Sequence, residues 1–393
     1  MQDDWVGRRR RQTGIMATLG TSSSHPDVIA ELHDAGTDVF RLDFSHGSLA
    51  AHRDRCRTIR ALDHQSSRPA AIMADLQGAQ FRLGPIVGGF ASLSAGQMLR
   101  LDLDASPGNR RRLSVPHPEF FAMARSGDEL FIDGGRVRLL VMSAAQSHID
   151  AIVLTGGYVA DAKRISIPDS TGPVGLTEKD RADASHAAAM GVDWLALPAS
   201  CGSEGFDEAR HLAGAEVRLM VRLDNPAALA HINETLAMAD GIMLARQDLA
   251  MSMNRKQICS LQKRLFADCD AAGKIMVAAI QALADCERDA NDCYLSVGAL
   301  TDAVHQGAHV LMLSAGSATG AFPVESVIMM ERLIRTAECG LCPEGFMDAD
   351  RAPAEMQVID EPESHWHQPP RIEMRKRSRD PRMPDDSHMP APQ

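Results

Sequence analysis

The sequence lacks the features of membrane-spanning and secreted proteins. None of its apolar runs approaches the roughly 18 residues that a bilayer-spanning helix needs. Four consecutive arginines at residues 8–11 are not followed by an apolar stretch, so no secretory signal is predicted. These absences predict a cytoplasmic protein without a membrane partner.

Excess basic charge and paired cysteine motifs are missing as well. The 393 residues include 41 Lys and Arg against 52 Asp and Glu, and the net charge of −11 argues against a nucleic-acid partner. Among eight cysteines, Cys339 and Cys342 form a single C-x-x-C without a second pair. A zinc site is therefore not expected, and reduced cytosolic thiols fit the spacing better.

Short apolar runs rich in β-forming residues alternate with stretches of helical period. The eight runs that predict strands are 15–19, 38–42, 70–74, 194–197, 217–221, 241–245, 275–279 and 309–313. The stretches that predict helices include 26–35, 178–190, 226–239, 258–272 and 323–337. Eight strands alternating with helices predict an α/β fold, the closed (β/α)8 TIM barrel.

One interval interrupts this alternation after the third strand. Within residues 85–166 the runs 98–103, 129–131, 136–142 and 148–154 all predict strands, and Asp133-Gly134-Gly135 predicts a tight hairpin turn. We therefore expect an N-terminal arm at 1–12, a barrel at 13–84 and 167–338, and an inserted all-β domain at 85–166. The proline-rich remainder, 339–393, predicts a disordered tail.

Polar side chains cluster where the barrel strands end, which is where reacting groups lie in such barrels. They are Thr18, Arg41, Asp43, Ser45, His46, Asp75, Arg82, Arg222, Asp224, Arg246, Asp248 and Ser314. Carboxylates at this density suggest bound hard cations, and arginines suggest a phosphate or carboxylate on the ligand. The pattern favours metal-assisted phosphoryl or enolate chemistry. The alternative, that these charges neutralise one another in structural ion pairs, stays open.

Seven segments carry a family resemblance. They are TGIMATLG (13–20), DVFRLDFSHGS (38–48), DLQGAQFRLG (75–84), LTEKD (176–180), GVDWLALP (191–198), DGIMLARQDL (240–249) and MLSAGSATGAFPVE (312–325). In this order, over residues 13–337, they resemble the pyruvate kinase family. The resemblance implies phosphoryl transfer from phosphoenolpyruvate to ADP, giving pyruvate and ATP, with Mg2+ or Mn2+. It leaves dependence on K+ open.

The resemblance also implies roles for individual residues. The catalytic cation is Arg222, and the substrate contacts are Arg41, Gln247, Asp248 and Ile280. The nucleotide contacts are Asp43, His46, Arg82 and Lys163. The divalent-metal ligands are Asp224 and Asp248, and the monovalent-cation ligands are Asp43, Ser45, Asp75 and the carbonyl of Leu76.

Several of these positions depart from the family pattern. The family has lysine at Arg222, glutamate at Asp224, glycine at Gln247 and threonine at Ile280. It also has proline–threonine–arginine at 292–294, where this sequence has Asp-Cys-Tyr, and glutamate at Gly316.

These departures leave three hypotheses. They are an active pyruvate kinase, a catalytically impaired relative that binds a phosphorylated metabolite or nucleotide as a sensor or scaffold, and a related reaction with Arg222 as the electrophile. Because the family's C-terminal α/β domain has no counterpart after Ala337, we expect a homodimer or a monomer.

Overall fold

The computed structural model describes residues 11–63, 66, 68–167, 175–250, 252–280 and 290–339, with only the backbone described at 227, 247 and 290–296. Within these ranges, no helix has both the length and the apolar character to cross a bilayer. The predicted tail lies outside them apart from Cys339, as do the side chains of residues 292–294.

Eight parallel strands close into a barrel, as the alternating pattern predicts. They are β1 (Gly14–Leu19), β2 (Val39–Asp43), β3 (Ala71–Asp75), β13 (Trp194–Pro198), β14 (Arg218–Leu223), β15 (Gly241–Leu244), β16 (Ile275–Ile280) and β17 (Val310–Leu313). Their order around the barrel is β1-β17-β16-β15-β14-β13-β3-β2. The eight predicted strands are confirmed, with ends that differ by one or two residues.

Two apolar layers explain why the barrel strands read as nearly continuous hydrophobic runs. Alternate residues point into the barrel, where Met16, Met73, Met220 and Met243 pack with Trp194. The intervening residues point outward and are buried under the helices. Since both faces of each strand are covered, neither face selects for polar side chains.

The helices lie mainly between the barrel strands. They are α1 (Pro26–Asp34), α2 (Leu49–Asp63), α3 (Pro118–Met123), α4 (Glu178–Ala189), α5 (Gly202–Ala213), α6 (Ile232–Met238), α7 (Arg246–Leu249), α8 (Arg255–Ala271), α9 (Ala290–His305), α10 (Ala315–Ala318) and α11 (Pro323–Glu338). The helix predicted over 226–239 begins instead with a 3-10 segment, Pro226–His231, and becomes α-helical only in α6.

The interval between β3 and α4 is built mainly from antiparallel strands. They are β4 (Phe81–Arg82), β5 (Phe90–Leu93), β6 (Met98–Asp102), β7 (Arg112–Ser114), β8 (Glu129–Ile132), β9 (Val137–Ala144), β10 (His148–Thr155), β11 (Gly157–Ala160) and β12 (Arg164–Ser166). Seven form the sheet β4-β12-β8-β9-β10-β6-β7, and β11 pairs with β5. We call this region the β insertion; it has its own apolar core.

The predicted hairpin turn joins β8 to β9. Asp133, Gly134 and Gly135 have φ of 53°, 67° and 83°, which is left-handed backbone that glycine adopts without strain. The sheet of the β insertion reaches back to Phe81, ahead of the expected start at residue 85. The barrel and the β insertion belong to one compact unit, Met1–Cys342.

Candidate active site

Two neighbouring strands bring three of the predicted carboxylate and arginine groups to the barrel mouth. In β2 and β3, Asp43 lies opposite Asp75, and Arg41 lies one side-chain repeat below Asp43 on the same face. The carboxylate of Asp75 is completely buried. A buried carboxylate needs cationic or hydrogen-bonding partners, because desolvation otherwise disfavours its charge.

Two arginines provide these partners. Arg41 donates from Nε and Nη2 to Oδ2 of Asp75, at 2.8 and 2.5 Å. Arg222, from β14, donates from Nη1 to Oδ1 of the same carboxylate. The side chains of Arg41 and Arg222 are only 11% and 13% exposed. Asp75 lies between two guanidinium groups. The alternative that the charges at the strand ends neutralise one another in ion pairs is therefore correct for Asp75.

Arg222 has further partners around the mouth. Its Nε donates to Asp224 at 3.2 Å, its Nη1 to the carbonyl of Leu76 at 3.0 Å, and its Nη2 to the carbonyl of Gln77 at 3.3 Å. Burial alone would lower the pKa of Arg222, but Asp75 and Asp224 outweigh it and raise the pKa above its ordinary value. Four of the five guanidinium N–H donors are thus engaged by these described residues.

The two predicted divalent-metal ligands line one pocket with Arg222. Asp224 follows β14 directly, and Asp248 lies in α7 after β15. Burial raises the pKa of Asp248 and Asp224 raises it further, while Arg164 opposes the shift. Nη1 of Arg164 lies 3.7 Å from Oδ1 of Asp248. The carboxylates of Asp224 and Asp248 therefore place negative charge in the pocket that a bound cation would stabilise.

Sequence reasoning missed Arg164, although a signal was present. Lys163 directly precedes β12, and Arg164 is the first residue of that strand. Lys163 extends to Asp133, with Nζ 2.9 Å from Oδ1, whereas Arg164 lines the pocket between the barrel mouth and the β insertion. The signal was the position of Arg164 next to a residue that the resemblance assigns to the nucleotide phosphates.

Of the remaining predicted nucleotide contacts, Arg82 binds a residue that lines this pocket, Gln80. Arg82 donates to the carbonyl of Ala162 at 2.9 Å and to Oε1 of Gln80 at 2.7 Å. His46 is largely exposed, and its Nδ1 lies 3.4 Å from Oδ2 of Asp43. Burial acts against ionisation of Asp43, but Arg41 and hydrogen bonding outweigh it and lower the pKa to about 2.

Two predicted contacts contribute no described polar group to the mouth. Ile280 ends β16 and is 4% exposed, so it presents buried aliphatic surface there. The side chain of Gln247 lies outside the described part of the structure, and its backbone belongs to α7.

The expectation that Arg246 faces the mouth is wrong. Its Nη1 donates to Oε1 of Gln262 on α8, and burial lowers its pKa. The expectation places residues 246 and 248 side by side at the end of the strand predicted over 241–245. They lie in α7, where positions two apart point away from each other.

Helix α4 holds the loops that follow β2 and β3. Lys179 donates from Nζ to the carbonyl of Phe44 at 2.8 Å, and Asp180 accepts from the amide of Gly78 at 2.9 Å. Gly78 has a φ of 73°, and a Cβ there would lie 2.8 Å from Cγ of Pro198. The segment LTEKD (176–180) carries part of the family resemblance. The sequence alone did not indicate that its side chains fix the loops at the barrel mouth.

The residues present fit a divalent ion and do not fit a monovalent one. Mg2+ is usually held by one or two carboxylates together with water and substrate oxygens, a requirement that Asp224 and Asp248 meet. The predicted monovalent ligands Asp75 and Leu76 already bind Arg222. Within the described ranges, no cluster of three or more His, Cys, Asp or Glu forms a metal cage.

A family model described as "Pyruvate kinase, barrel domain" matches residues 10–327. The chain belongs to the pyruvate kinase family. This confirms the resemblance and makes the protein a phosphotransferase of pyruvate kinase type.

Individual relatives agree with this assignment. A pyruvate kinase of Methylorubrum extorquens is 35% identical over 362 residues, covering 92% of this chain and 76% of the relative. One from Agrobacterium vitis is 36% identical over 333 residues, covering 84% and 70%. A crystal structure of a pyruvate kinase from Cryptosporidium parvum matches with a TM-score of 0.75 at 25% identity, covering 88% of this chain and 74% of that one.

Proposed function

We propose that the protein transfers the phosphoryl group of phosphoenolpyruvate to ADP, giving pyruvate and ATP, in the cytoplasm. The observation that carries the proposal is the barrel mouth itself, where Arg222, Asp224 and Asp248 line one pocket. Cationic and anionic groups placed together suit a reaction that moves a phosphoryl group between two anions. The cytoplasmic location is supported by the five described cysteines, which are all free thiols.

Arg222 is the group that stabilises the phosphoryl in flight. A guanidinium keeps its charge at all relevant pH values and contributes electrostatic stabilisation without a proton transfer. With four donors engaged, only one N–H of Nη2 is left for the phosphoryl oxygens. A full interaction requires Arg222 to release Gln77 or Asp224, and we therefore expect turnover below that of family members with the ordinary lysine.

Asp224 and Asp248 are the residues that would hold Mg2+ or Mn2+. The ion would supply positive charge that neutralises the substrate oxygens. In the structure, Asp224 pairs with Arg222 and Asp248 with Arg164. The side chain of Asp224 is one methylene shorter than that of a glutamate, so its carboxylate lies closer to the strand. This favours contact between the carboxylate and the metal ion through a water molecule.

The phosphates of ADP are assigned to the side of the pocket formed by the β insertion. Lys163 and Arg82 supply positive charge there, and their present partners are Asp133 and Gln80. His46 and Asp43, which lie 3.4 Å apart at the end of β2, are the other two nucleotide contacts we propose. Exchange of these intramolecular contacts for phosphate oxygens is the role we propose for the two cations.

The last step, protonation of the enolate carbon, receives no help from Ile280. An aliphatic side chain neither donates nor accepts a proton, so the proton comes from water entering the pocket. This is a second reason to expect slow turnover.

A second candidate is a protein that binds the phosphorylated metabolite without turning it over. The engagement of Arg222 by four partners and the aliphatic Ile280 favour it. Both candidates share the ligand and differ in chemistry.

A coupled assay distinguishes them. Pyruvate formation from phosphoenolpyruvate, ADP and MgCl2 is followed with lactate dehydrogenase and NADH. Asp248→Asn removes one metal carboxylate at nearly constant shape and serves as the control. Turnover that this variant abolishes supports the kinase. A rate equal to that of Asp248→Asn, with a phosphoenolpyruvate-dependent rise in the melting temperature, supports the binding protein.

A further inference from the structure

The oxygens that the family resemblance assigns to a monovalent cation lie together at the ends of β2 and β3. Asp43 and Asp75 are opposite each other in the strand pair, and the carbonyl of Leu76 follows directly. The amide of Ser45 donates to Oδ1 of Asp43 at 2.9 Å, which fixes the loop beyond β2. The ligand set is present in sequence and in space.

A guanidinium already binds two of these oxygens. Nη1 of Arg222 donates both to Oδ1 of Asp75 and to the carbonyl of Leu76, the latter at 3.0 Å. Oδ2 of Asp75 receives two donors from Arg41. Two of the four oxygen ligands are thus bound to Arg222 Nη1, and both oxygens of the buried carboxylate are in use.

Asp43 is also bound to a cation. Nη2 of Arg41 lies 3.4 Å from Oδ2 of Asp43. A further monovalent ion among these oxygens would lie next to two positive groups, and like charges repel strongly at such separations in a buried setting. Three of the four predicted ligands, Asp43, Asp75 and Leu76, are therefore already bound to guanidinium groups.

We propose that the guanidinium of Arg222 replaces the monovalent cation, so that the protein binds no K+ at the barrel mouth and does not require it. Arginine can do this where lysine cannot, since its planar fork reaches Asp75 and Leu76 through Nη1 while Nε holds Asp224 at 3.2 Å. A lysine has one compact ammonium and cannot make both sets of contacts. One residue therefore supplies the fixed positive charge and borders the reacting pocket.

The kinetic consequence depends on the proposed phosphoryl transfer, whereas the ion-binding consequence does not. The ion-binding test uses Tl+, supplied as thallous nitrate, as the probe for a K+ site. Melting temperatures of the full chain are compared in thallous nitrate and in tetramethylammonium nitrate at equal ionic strength. We expect no Tl+-specific shift for the wild type.

Two variants should create the missing site. Arg222→Met removes the guanidinium, so that the oxygens of Asp75 and Leu76 become available to an ion. Arg222→Lys removes the contacts of Nη1 with these oxygens but keeps a positive charge at the position. We expect Tl+ to raise the melting temperature of Arg222→Met by several degrees, and of Arg222→Lys less. Arg60→Lys, which alters an arginine paired with Asp193 at 2.8 Å on the outside of the barrel, is the matched control and should not respond.

The coupled assay gives the second readout. Replacing tetramethylammonium by K+ should change wild-type turnover by less than twofold and raise that of Arg222→Lys by tenfold or more. A Tl+ shift or tenfold K+ activation in the wild type overturns the inference, as does a lack of Tl+ response in both Arg222 variants. If the wild type shows no turnover in either salt, the proposed function fails, and the Tl+ measurements still decide the inference.

Discussion

Replacing Asp75 by asparagine should destabilise the protein more than the same replacement at an exposed aspartate such as Asp150. The carboxylate is fully buried between Arg41 and Arg222, whose side chains are 11% and 13% exposed. Asparagine keeps the shape but removes the charge, which leaves two buried guanidinium groups facing each other. Removing one partner of a buried ion pair costs about 3–5 kcal/mol.

The expected change in melting temperature follows from the size of the folded unit. Unfolding entropy is about 2.1 cal/mol/K per residue, or about 0.7 kcal/mol/K for the compact unit Met1–Cys342. The loss therefore lowers the melting temperature by about 4–7 °C. Circular dichroism at pH 7 measures it directly. The control is Asp150→Asn, which breaks an exposed bidentate pair with Arg100 and should change it by about 1 °C or less.

A double change tests the cause of the destabilisation. If the unpaired charge is responsible, adding Arg222→Met to Asp75→Asn should recover part of the lost melting temperature. Equal shifts for Asp75→Asn and Asp150→Asn would refute the reasoning. So would a double variant that melts lower than the sum of the two single changes predicts.

Three further perturbations follow from the same region. Because Arg41 and hydrogen bonding hold the folded pKa of Asp43 at about 2, below its ordinary 3.8, Asp43→Asn should destabilise the protein by about 2 kcal/mol at pH 7. Urea titrations measure the difference in the free energy of unfolding between the wild type and Asp43→Asn, and this difference should shrink as the pH falls from about 4 to about 2. A difference that stays constant with pH would exclude ionisation of Asp43 as the cause of the destabilisation. MgCl2 should raise the melting temperature of the wild type but not of Asp248→Asn, and equal rises would exclude this carboxylate from the proposed metal site. Gly78→Ala should destabilise by well over the roughly 1 kcal/mol of left-handed strain, since its Cβ would lie 2.8 Å from a proline ring. Gly88→Ala, at φ of 76° with open space around its Cβ, isolates the strain alone, and equal effects would contradict the clash.

The barrel strands could be predicted because their burial on both faces leaves a strong signal. A strand such as β17 is apolar throughout, and helices with polar outer faces flank it. The short strands of the β insertion left no such signal. Phe81–Arg82 and Arg164–Ser166 are too short to show a period of two, and their pairing is fixed by tertiary contacts.

The candidate site could be predicted as a set of residues but not as a set of pairs. The resemblance and the strand ends both indicated Arg41, Asp75 and Arg222, and the structure brings them together. The partner of each arginine depends on side-chain length and rotamer, which spacing does not determine. Arg246 shows the limit, because a one-turn helix after β15 rotated it away from the mouth.

The resemblance implies two departures from the family pattern at the end of β14, and these make physical sense as a pair. A lysine with a glutamate two residues later would place a compact ammonium beside a carboxylate that reaches into the pocket. Arg222 is longer and Asp224 is shorter, and their contact at 3.2 Å uses Nε near the base of the guanidinium. This leaves Nη1 free to extend to Asp75 and Leu76. If Asp224 were a glutamate, its carboxylate would compete for the outer nitrogens, so the shorter acid favours the reach of Arg222 toward the neighbouring strands. Reverting either position alone should therefore disturb the mouth more than reverting both.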